Sequence, residues 1–491
     1  MLSRPHVPLS RRSLLAGLAA LALPSRSEAD AGSDITSELV PALAAFGAWA
    51  RGVGGRFGAC FVDVASGREL GSFAADVAEN PASNEKLVTA GAVLRHLGGR
   101  FTFTSGLYGA VDGGKVTGLV LRSDGDPSLS SADLAGMARA LRDRGVREVS
   151  DILLDHGAFD RAFVPPGFEQ QPGEWAAFRA PVSAVAVDRN SVLVSIVPAR
   201  QGVPAAVSFE PASFVDVEGR IETGPRGKRG PVRVSLAPRG QRLVARLGGA
   251  VPEGSPPNRY RQRVDDPELF AGYALREALL TAGITLTGAI RSGGADERRE
   301  LAVHRSKPLA ELLAELGKQS DNFYAEMLLK VLDARVNARP GTSAGGAELA
   351  AAWLKEIGAA DAGTRVGNGS GLFDSNRLSP KSLARLLVTV FRDPALSPDF
   401  ASQLAVGGVD GTLKTRFASL AAARSVLAKT GTLRDVVALS GYVFGADRAR
   451  PVAFSMIVSG VAGRTPAARA RVDEIVERVA AALAAGQKTA S

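Results

Sequence analysis

The chain has 491 residues, 45% hydrophobic and 22% charged, with a formal net charge of +9. That length and apolar share allow a large core in two or three domains and exclude a disordered or fibrous chain. The basic residues are dispersed, with no RNP motif, zinc finger or Lys/Arg-rich arm, so no nucleic-acid partner is expected. An anionic polymer such as cell wall, or a merely Arg-rich composition, accounts for the charge equally well.

At the N-terminus, Arg11-Arg12 precede an apolar run from Leu14 to Leu23, and small residues end at Ala29-Asp30-Ala31. This is a charged region, a hydrophobic stretch too short to span a bilayer, and an A-x-A cleavage site. Ser10-Arg11-Arg12 with Leu14-Leu15 resembles a twin-arginine export signal, with Ala16 at its lysine position. Residues 1–31 are therefore expected to be a signal peptide that directs export to the periplasm. No later stretch approaches ~18 consecutive apolar residues, so no stable membrane span is expected after cleavage.

Residues 35–51 have a helical pattern, and RFGACFVDVASGREL reads as a strand, a Ser-Gly turn and a second strand. Cys60, the single cysteine, is expected as a small buried side chain in that strand. It excludes an intrachain disulfide and a Cys-based zinc cluster. NPASNEKLVTAG (80–91) follows, with Asn80 as N-cap and Pro81 in the first turn. Leu87, Ala90, Leu94 and Leu97 then recur at helical spacing up to Gly98-Gly99. Ser83 and Lys86 lie one turn apart at the positive end of the helix dipole. Taken alone, this S-x-x-K reads as a polar first turn with an exposed lysine.

FTFTSGLYGAV and KVTGLVLRS flank a VDGG turn and predict a hairpin, and SDGDPSLSSADLAGMARALRDRG predicts a loop capped into a helix. Between about 148 and 300 the short runs SDILLD, APVSAVAV, SVLVSIV, RVSLAP and RLVARLGG favour a β-rich insertion. Segment 254–265 reads as a surface connection. Helical periodicity returns at 309–317 and 323–332. The last third holds three strand-like runs, SVLAKTG, VVALSGYVFG and RPVAFSMIVSG. A final helix follows, capped by Thr465-Pro466, with Val472, Ile475, Val476, Val479 and Leu483 on one face. Strands and helices from both ends of the chain predict an α+β unit interrupted by a large insert.

One serine motif is a decoy. Gly341-Thr342-Ser343-Ala344-Gly345 matches the G-x-S-x-G nucleophile elbow, which needs a preceding strand and a later histidine. The histidines are His6, His96, His156 and His304, and all precede Ser343. The stretch is read as a loop. The same scarcity leaves no HExxH or paired-histidine spacing, so neither a metal nor a cofactor is expected. A hydrolase built from this chain would use lysine as its base.

Ser320-Asp321-Asn322 stands just before a helix carrying Phe323, Met327, Leu328 and Val331, and alone it reads as an ordinary cap. Lys429-Thr430-Gly431-Thr432 lies on a strand-like run, where such residues are common on edges. Together and in this order, S-x-x-K, S-D-N and K-T-G are the set found in penicillin-binding proteins and class A β-lactamases. Each sits on the element that set requires: a helix start, a loop before a helix, and a strand.

On these motifs the chain resembles the low-molecular-mass class C penicillin-binding proteins, which are D-alanyl-D-alanine carboxypeptidases and endopeptidases. The likeness extends to DGDPSLS (124–130), APVSAVAV (180–187), GSGL (369–372) and GGVDGTLKTR (407–416). More than two hundred positions separate Lys86 from Ser320, in line with that family's inserted domains and far longer than in class A β-lactamases. Asn368 stands where the family usually has Asp, and Phe373-Asp374 replaces its usual Ser-Arg.

The resemblance implies a penicillin-recognising, serine transpeptidase-like α+β domain, an antiparallel sheet flanked by helices. It would be formed by residues 32–106 and 305–486, with inserted β-rich domains over 107–304. It implies Ser83 as nucleophile, Lys86 as its base, Ser320 as proton relay, and Asn322 as holder of Lys86 and a substrate amide. Lys429, Thr430 and Thr432 would bind the substrate carboxylate, with Gly431 leaving room for it. Backbone N–H groups of Ser83 and Thr432 would form an oxyanion hole. The implied partners are peptidoglycan stem peptides, with β-lactams as covalent inhibitors. A β-lactamase-like hydrolase and a catalytically silent wall-binding protein are the alternatives.

Overall fold

The computed structural model describes residues 27–228, 230–294, 299–418, 425–445 and 447–485, with side chains from Ile35 onward. Most of the signal-peptide reading on residues 1–31 lies outside them. The chain divides into two compact units. One comprises residues up to Phe101, Pro308–Asp321 and those from Ala347 onward; the other comprises Thr102–Lys307 and Asn322–Gly346.

The first unit is built on a six-stranded sheet, in the order Ala405–Val406, Val426–Thr432, Val437–Val443, Val452–Ser459, Arg56–Asp63, Glu69–Phe73. Every neighbouring pair is antiparallel. The three C-terminal apolar runs and the RFGACFVDV run are the four central strands of this sheet, as their apolar, strand-like character predicts, and Cys60 is buried in one of them. One face of the sheet is covered by the helices Ser27–Gly52 and Thr465–Ala485. Ile35, Leu39, Leu43 and Phe46 meet Val472, Ile475, Val476 and Val479 there, over Phe57, Phe61 and Phe454 of the sheet. The predicted stripe on the last helix is thus its buried face, with Leu483 packed at its edge.

The helix Pro380–Arg392 lies against the strands Arg56–Asp63, Val437–Val443 and Val452–Ser459. The Tyr442 hydroxyl donates to its Leu387 carbonyl at 2.8 Å. The S-x-x-K helix begins later than its sequence predicts. Ala82–Asn84 form a 3₁₀ turn, and the α-helix runs Glu85–Leu97 to a left-handed Gly98. Asn80 still caps the turn, its Oδ1 accepting the Ala82 N–H at 2.9 Å. The expected stripe of Leu87, Ala90, Leu94 and Leu97 lies on this helix, and burial extends beyond it to every residue from Glu85 to Leu94.

The second unit holds a seven-stranded sheet. Lys115–Ser123 pairs antiparallel with Thr104–Tyr108, forming the predicted hairpin, and parallel with Glu148–Asp155. The parallel pair needs a crossover, supplied by the helix Ser131–Asp143 with a Ser130/Asp133 capping box. The insertion is thus β-rich as expected, a βαβ unit with smaller sheets, and the capped helix read from the sequence is its crossover. Two local expectations are corrected. APVSAVAV forms no strand, and Asn258–Arg263, read as a surface connection, pairs with Ser191–Val197. In the latter, alternation is hidden because Arg261 and Arg263 fold their guanidinium groups onto backbone carbonyls. The helix Asn322–Asn337 groups with this unit, and its buried Lys330 pairs with Asp160 and donates to the Ala162 carbonyl at 2.7 Å. The decoy Ser343 opens the helix Ser343–Glu356 and follows a helix, not a strand.

Gly441, in the strand beside Val426–Thr432, has no room for a side chain. A Cβ there would stand 2.1 Å from the Leu427 carbonyl oxygen and 2.5 Å from the Ala428 Cα. Backbone cannot rotate away, so Gly441→Ala is expected to destabilise the first unit by about 1–3 kcal/mol. Thermal unfolding followed by circular dichroism checks this; an unchanged midpoint would contradict it.

Candidate active site

The turn Ala82–Asn84 brings Ser83 to the end of the strand Val426–Thr432. Along that strand residues 429 and 431 share one face. A Cβ on Gly431 would lie 3.0 Å from the Pro81 carbonyl oxygen and 3.1 Å from the Ala82 Cβ. Strand and turn are therefore in direct contact, and glycine is what the closeness demands. Ala82 itself has φ +47°, a left-handed conformation uncommon for a residue with a side chain.

Ser83 is half-buried, whereas Lys86 and Lys429 are fully buried. Lys86 Nζ donates to Ser83 Oγ at 3.1 Å and to the Ser370 carbonyl at 2.7 Å. Lys429 Nζ donates to Ser320 Oγ at 2.7 Å and to the Thr430 carbonyl at 2.8 Å. Ser320 sits at φ +59° in the loop after the helix Leu309–Gly317. Each reactive-type serine is thus paired with a buried lysine. Burial, and then the nearby charge of Lys86, hold the Lys429 ammonium well below the ordinary lysine value.

The Thr430 hydroxyl donates to Thr412 Oγ1 at 2.9 Å, and Thr432 is exposed at the strand end. Of the eight residues named from the motifs, Ser83, Lys86, Ser320 and Lys429 to Thr432 all lie in the first unit. Asn322 belongs to the second, as the first residue of the helix Asn322–Asn337, and its Nδ2 donates to the Phe178 carbonyl at 3.1 Å.

Other residues of the site are not announced by the motifs. Gly371, at φ +74°, would place a Cβ 1.8 Å from the Ala82 carbonyl oxygen, so the GSGL loop is pressed against the serine turn. Asn368 braces that loop. Its Oδ1 accepts from the Gly371 N–H and from Asn376 Nδ2, both at 2.9 Å, and its Nδ2 donates to the Leu372 carbonyl at 3.0 Å. An aspartate there could not make the last bond, so the departure at 368 leaves the loop fully bonded. GSGL and the segment with Thr412 were visible as stretches, but only the fold shows which atoms they offer. No group of His, Cys, Asp and Glu among the described residues could hold a metal ion.

Among known proteins, residues 51–482 match the model of the D-Ala-D-Ala carboxypeptidase 3 (S13) family. A D-alanyl-D-alanine carboxypeptidase of Actinomadura sp. (strain R39) is 34% identical over 447 residues, covering 86% of this chain and 81% of the relative. The carboxypeptidase DacB of Haemophilus influenzae is 24% identical over 77% of this chain and 80% of its own. In fold, the chain matches the crystal structure of penicillin binding protein 4 (dacB) from Haemophilus influenzae. The TM-score is 0.73 at 23% identity, covering 91% of this chain and 97% of that one. The β-lactam complex of that protein superposes with a TM-score of 0.69 at 22% identity, over 91% and 98% of the two chains.

Neutralising the buried charge isolates its cost. Because the folded pKa of Lys429 lies below its unfolded value, the unfolded chain binds more protons between the two. Stability therefore rises with pH across that window. Lys429→Met is expected to gain about 1 kcal/mol, or ~2–4 °C, at neutral pH, and the gain should vanish toward about pH 10. Melting curves of both proteins across that range test it; a variant that melts lower at every pH would refute it.

Proposed function

Because the chain belongs to the D-Ala-D-Ala carboxypeptidase 3 (S13) family of serine peptidases, the low-molecular-mass class C penicillin-binding proteins, we propose an exported enzyme that acts through an acyl-enzyme on Ser83. The observation that carries this reading is the hydrogen bond from Lys86 Nζ to Ser83 Oγ, beside the second pair of Lys429 and Ser320.

In this reading a neutral Lys86 takes the Ser83 hydroxyl proton as Oγ attacks the carbonyl of the penultimate D-alanine of a stem peptide. The Oγ–C bond forms, and the developing oxyanion is met by the backbone N–H groups of Ser83 and Thr432, worth ~10²–10³ in rate per donor. The carbonyl re-forms as the C–N bond breaks, and the proton taken up by Lys86 is passed through the Ser320 hydroxyl to the departing D-alanine amine. Water then cleaves the ester and frees the serine. Lys429, Thr430 and Thr432 bind the terminal carboxylate through charge-assisted hydrogen bonds. A β-lactam, which mimics D-alanyl-D-alanine, is expected to acylate the same serine.

Cleavage of D-alanyl-meso-diaminopimelate cross-links uses the same acyl transfer with a different leaving amine, so endopeptidase activity is included. The twin-arginine-like N-terminus supports export to the periplasm. No helix among the described residues is long and apolar enough to cross a membrane.

Ser83→Ala is expected to abolish covalent labelling by a fluorescent penicillin while the protein stays folded. Undiminished labelling would sink the assignment. Wild-type protein is expected to release D-alanine from a muropeptide pentapeptide and monomers from cross-linked dimers, read by mass spectrometry. Steady-state nitrocefin turnover without a lasting acyl-enzyme would instead mark a β-lactamase. Sacculus binding without any D-alanine release would mark a wall-binding protein.

A further inference from the structure

We propose that Asn84 is a positioning residue, which with Ser440 holds the nucleophile turn at its working distance from the K-T-G strand. The proposal rests on the reading of Ser83 as nucleophile. Asn84 follows Ser83 directly and is fully buried. Its Nδ2 donates to Ser440 Oγ at 2.7 Å, and Ser440 Oγ in turn donates to Ser455 Oγ at 2.8 Å. Ser440 stands in register opposite Lys429, and Ser455 stands opposite Ser440. A row of three polar side chains thus crosses adjacent strands beneath the turn, with Lys429 at one end.

Two features separate this contact from ordinary packing. Asn84 Oδ1 is buried and has no hydrogen-bond partner among the described residues. An amide that leaves its acceptor unpaired is a poor choice for stability alone, since a small apolar side chain would avoid that penalty. The turn is also in an unfavourable conformation, with Ala82 left-handed at φ +47°. Such a conformation persists only when its surroundings over-determine it. Asparagines do so from both sides. Asn80 Oδ1 accepts the Ala82 N–H at 2.9 Å while its Nδ2 donates to the Phe373 carbonyl at 2.7 Å, and Asn84 anchors the other flank to the sheet. With Gly431 already in contact with Pro81 and Ala82, any relaxation of the turn moves Ser83 relative to the strand.

Asn84→Ala alters the turn itself, so Ser440→Ala, which removes only the anchor, is the second variant, and Ser455→Ala is the control. Ser455→Ala cuts the same serine row yet leaves Ser440 able to accept from Asn84. Acylation by a fluorescent penicillin is expected to slow ~10- to 100-fold in Asn84→Ala and Ser440→Ala, and by less than about threefold in Ser455→Ala. The double variant Asn84→Ala/Ser440→Ala should be no slower than either single one. For D-alanine release kcat should fall with KM unchanged, because neither side chain touches substrate. Wild-type rates in Ser440→Ala, or equal losses in Ser440→Ala and Ser455→Ala that follow their melting midpoints, would overturn the proposal. Absence of label on wild-type Ser83 would instead overturn the catalytic reading on which it rests.

Discussion

Two lysine amines are buried in one site, and that constraint organises everything around it. Lys86 and Lys429 are both fully buried; Lys86 donates to the Ser83 hydroxyl and the Ser370 carbonyl, and Lys429 to the Ser320 hydroxyl and the Thr430 carbonyl. A carboxylate partner would lower the cost of burial but hold the amine charged. At Lys429, neutral acceptors satisfy the N–H groups and leave the charge expensive. The lowered pKa of Lys429, driven first by burial and then by Lys86, shows how costly a second positive charge is in this site.

Such a site must be built on a rigid frame, because its members come from distant parts of the chain. Ser83 and Lys86 precede the insertion, Ser320 follows it, and Lys429 lies on a strand near the C-terminus. The antiparallel sheet supplies the frame. The strand Arg56–Asp63 from the first part pairs along its whole length with Val452–Ser459 from the last, so the first unit closes on itself around the insert. Close approaches at Gly431, Gly371 and Gly441 then fix spacing that side chains would otherwise set loosely.

The strands of this frame were legible in the sequence, because apolar runs such as VVALSGYVFG and RPVAFSMIVSG announce buried β-structure directly. The motif residues were legible as well, each standing on the kind of element its chemistry requires. The helix after Ser83 was legible from the spacing of Leu87, Ala90, Leu94 and Leu97, but its start was not, being delayed by a 3₁₀ turn that periodicity does not register. Asn258–Arg263 was hidden for a different reason. Its arginines look like solvent-facing loop residues until the carbonyls that receive them are known. APVSAVAV shows the converse error, an apolar run buried as irregular backbone rather than as a strand.

What no pattern could reveal is the distribution of strain. Ala82 and Ser320, beside or at the two serines that meet the lysines, both lie in the left-handed region without being glycine. Replacing either by glycine would relax the backbone, but it would also give the serine turn or the S-D-N loop new freedom. A side chain at Ala82 keeps the turn in one conformation once asparagine bonds and the Gly431 and Gly371 contacts have closed around it. The strain and its restraints are then one device: the unfavourable φ is the conformation in which Ser83 meets Lys86, and the surrounding contacts leave the turn no easier alternative.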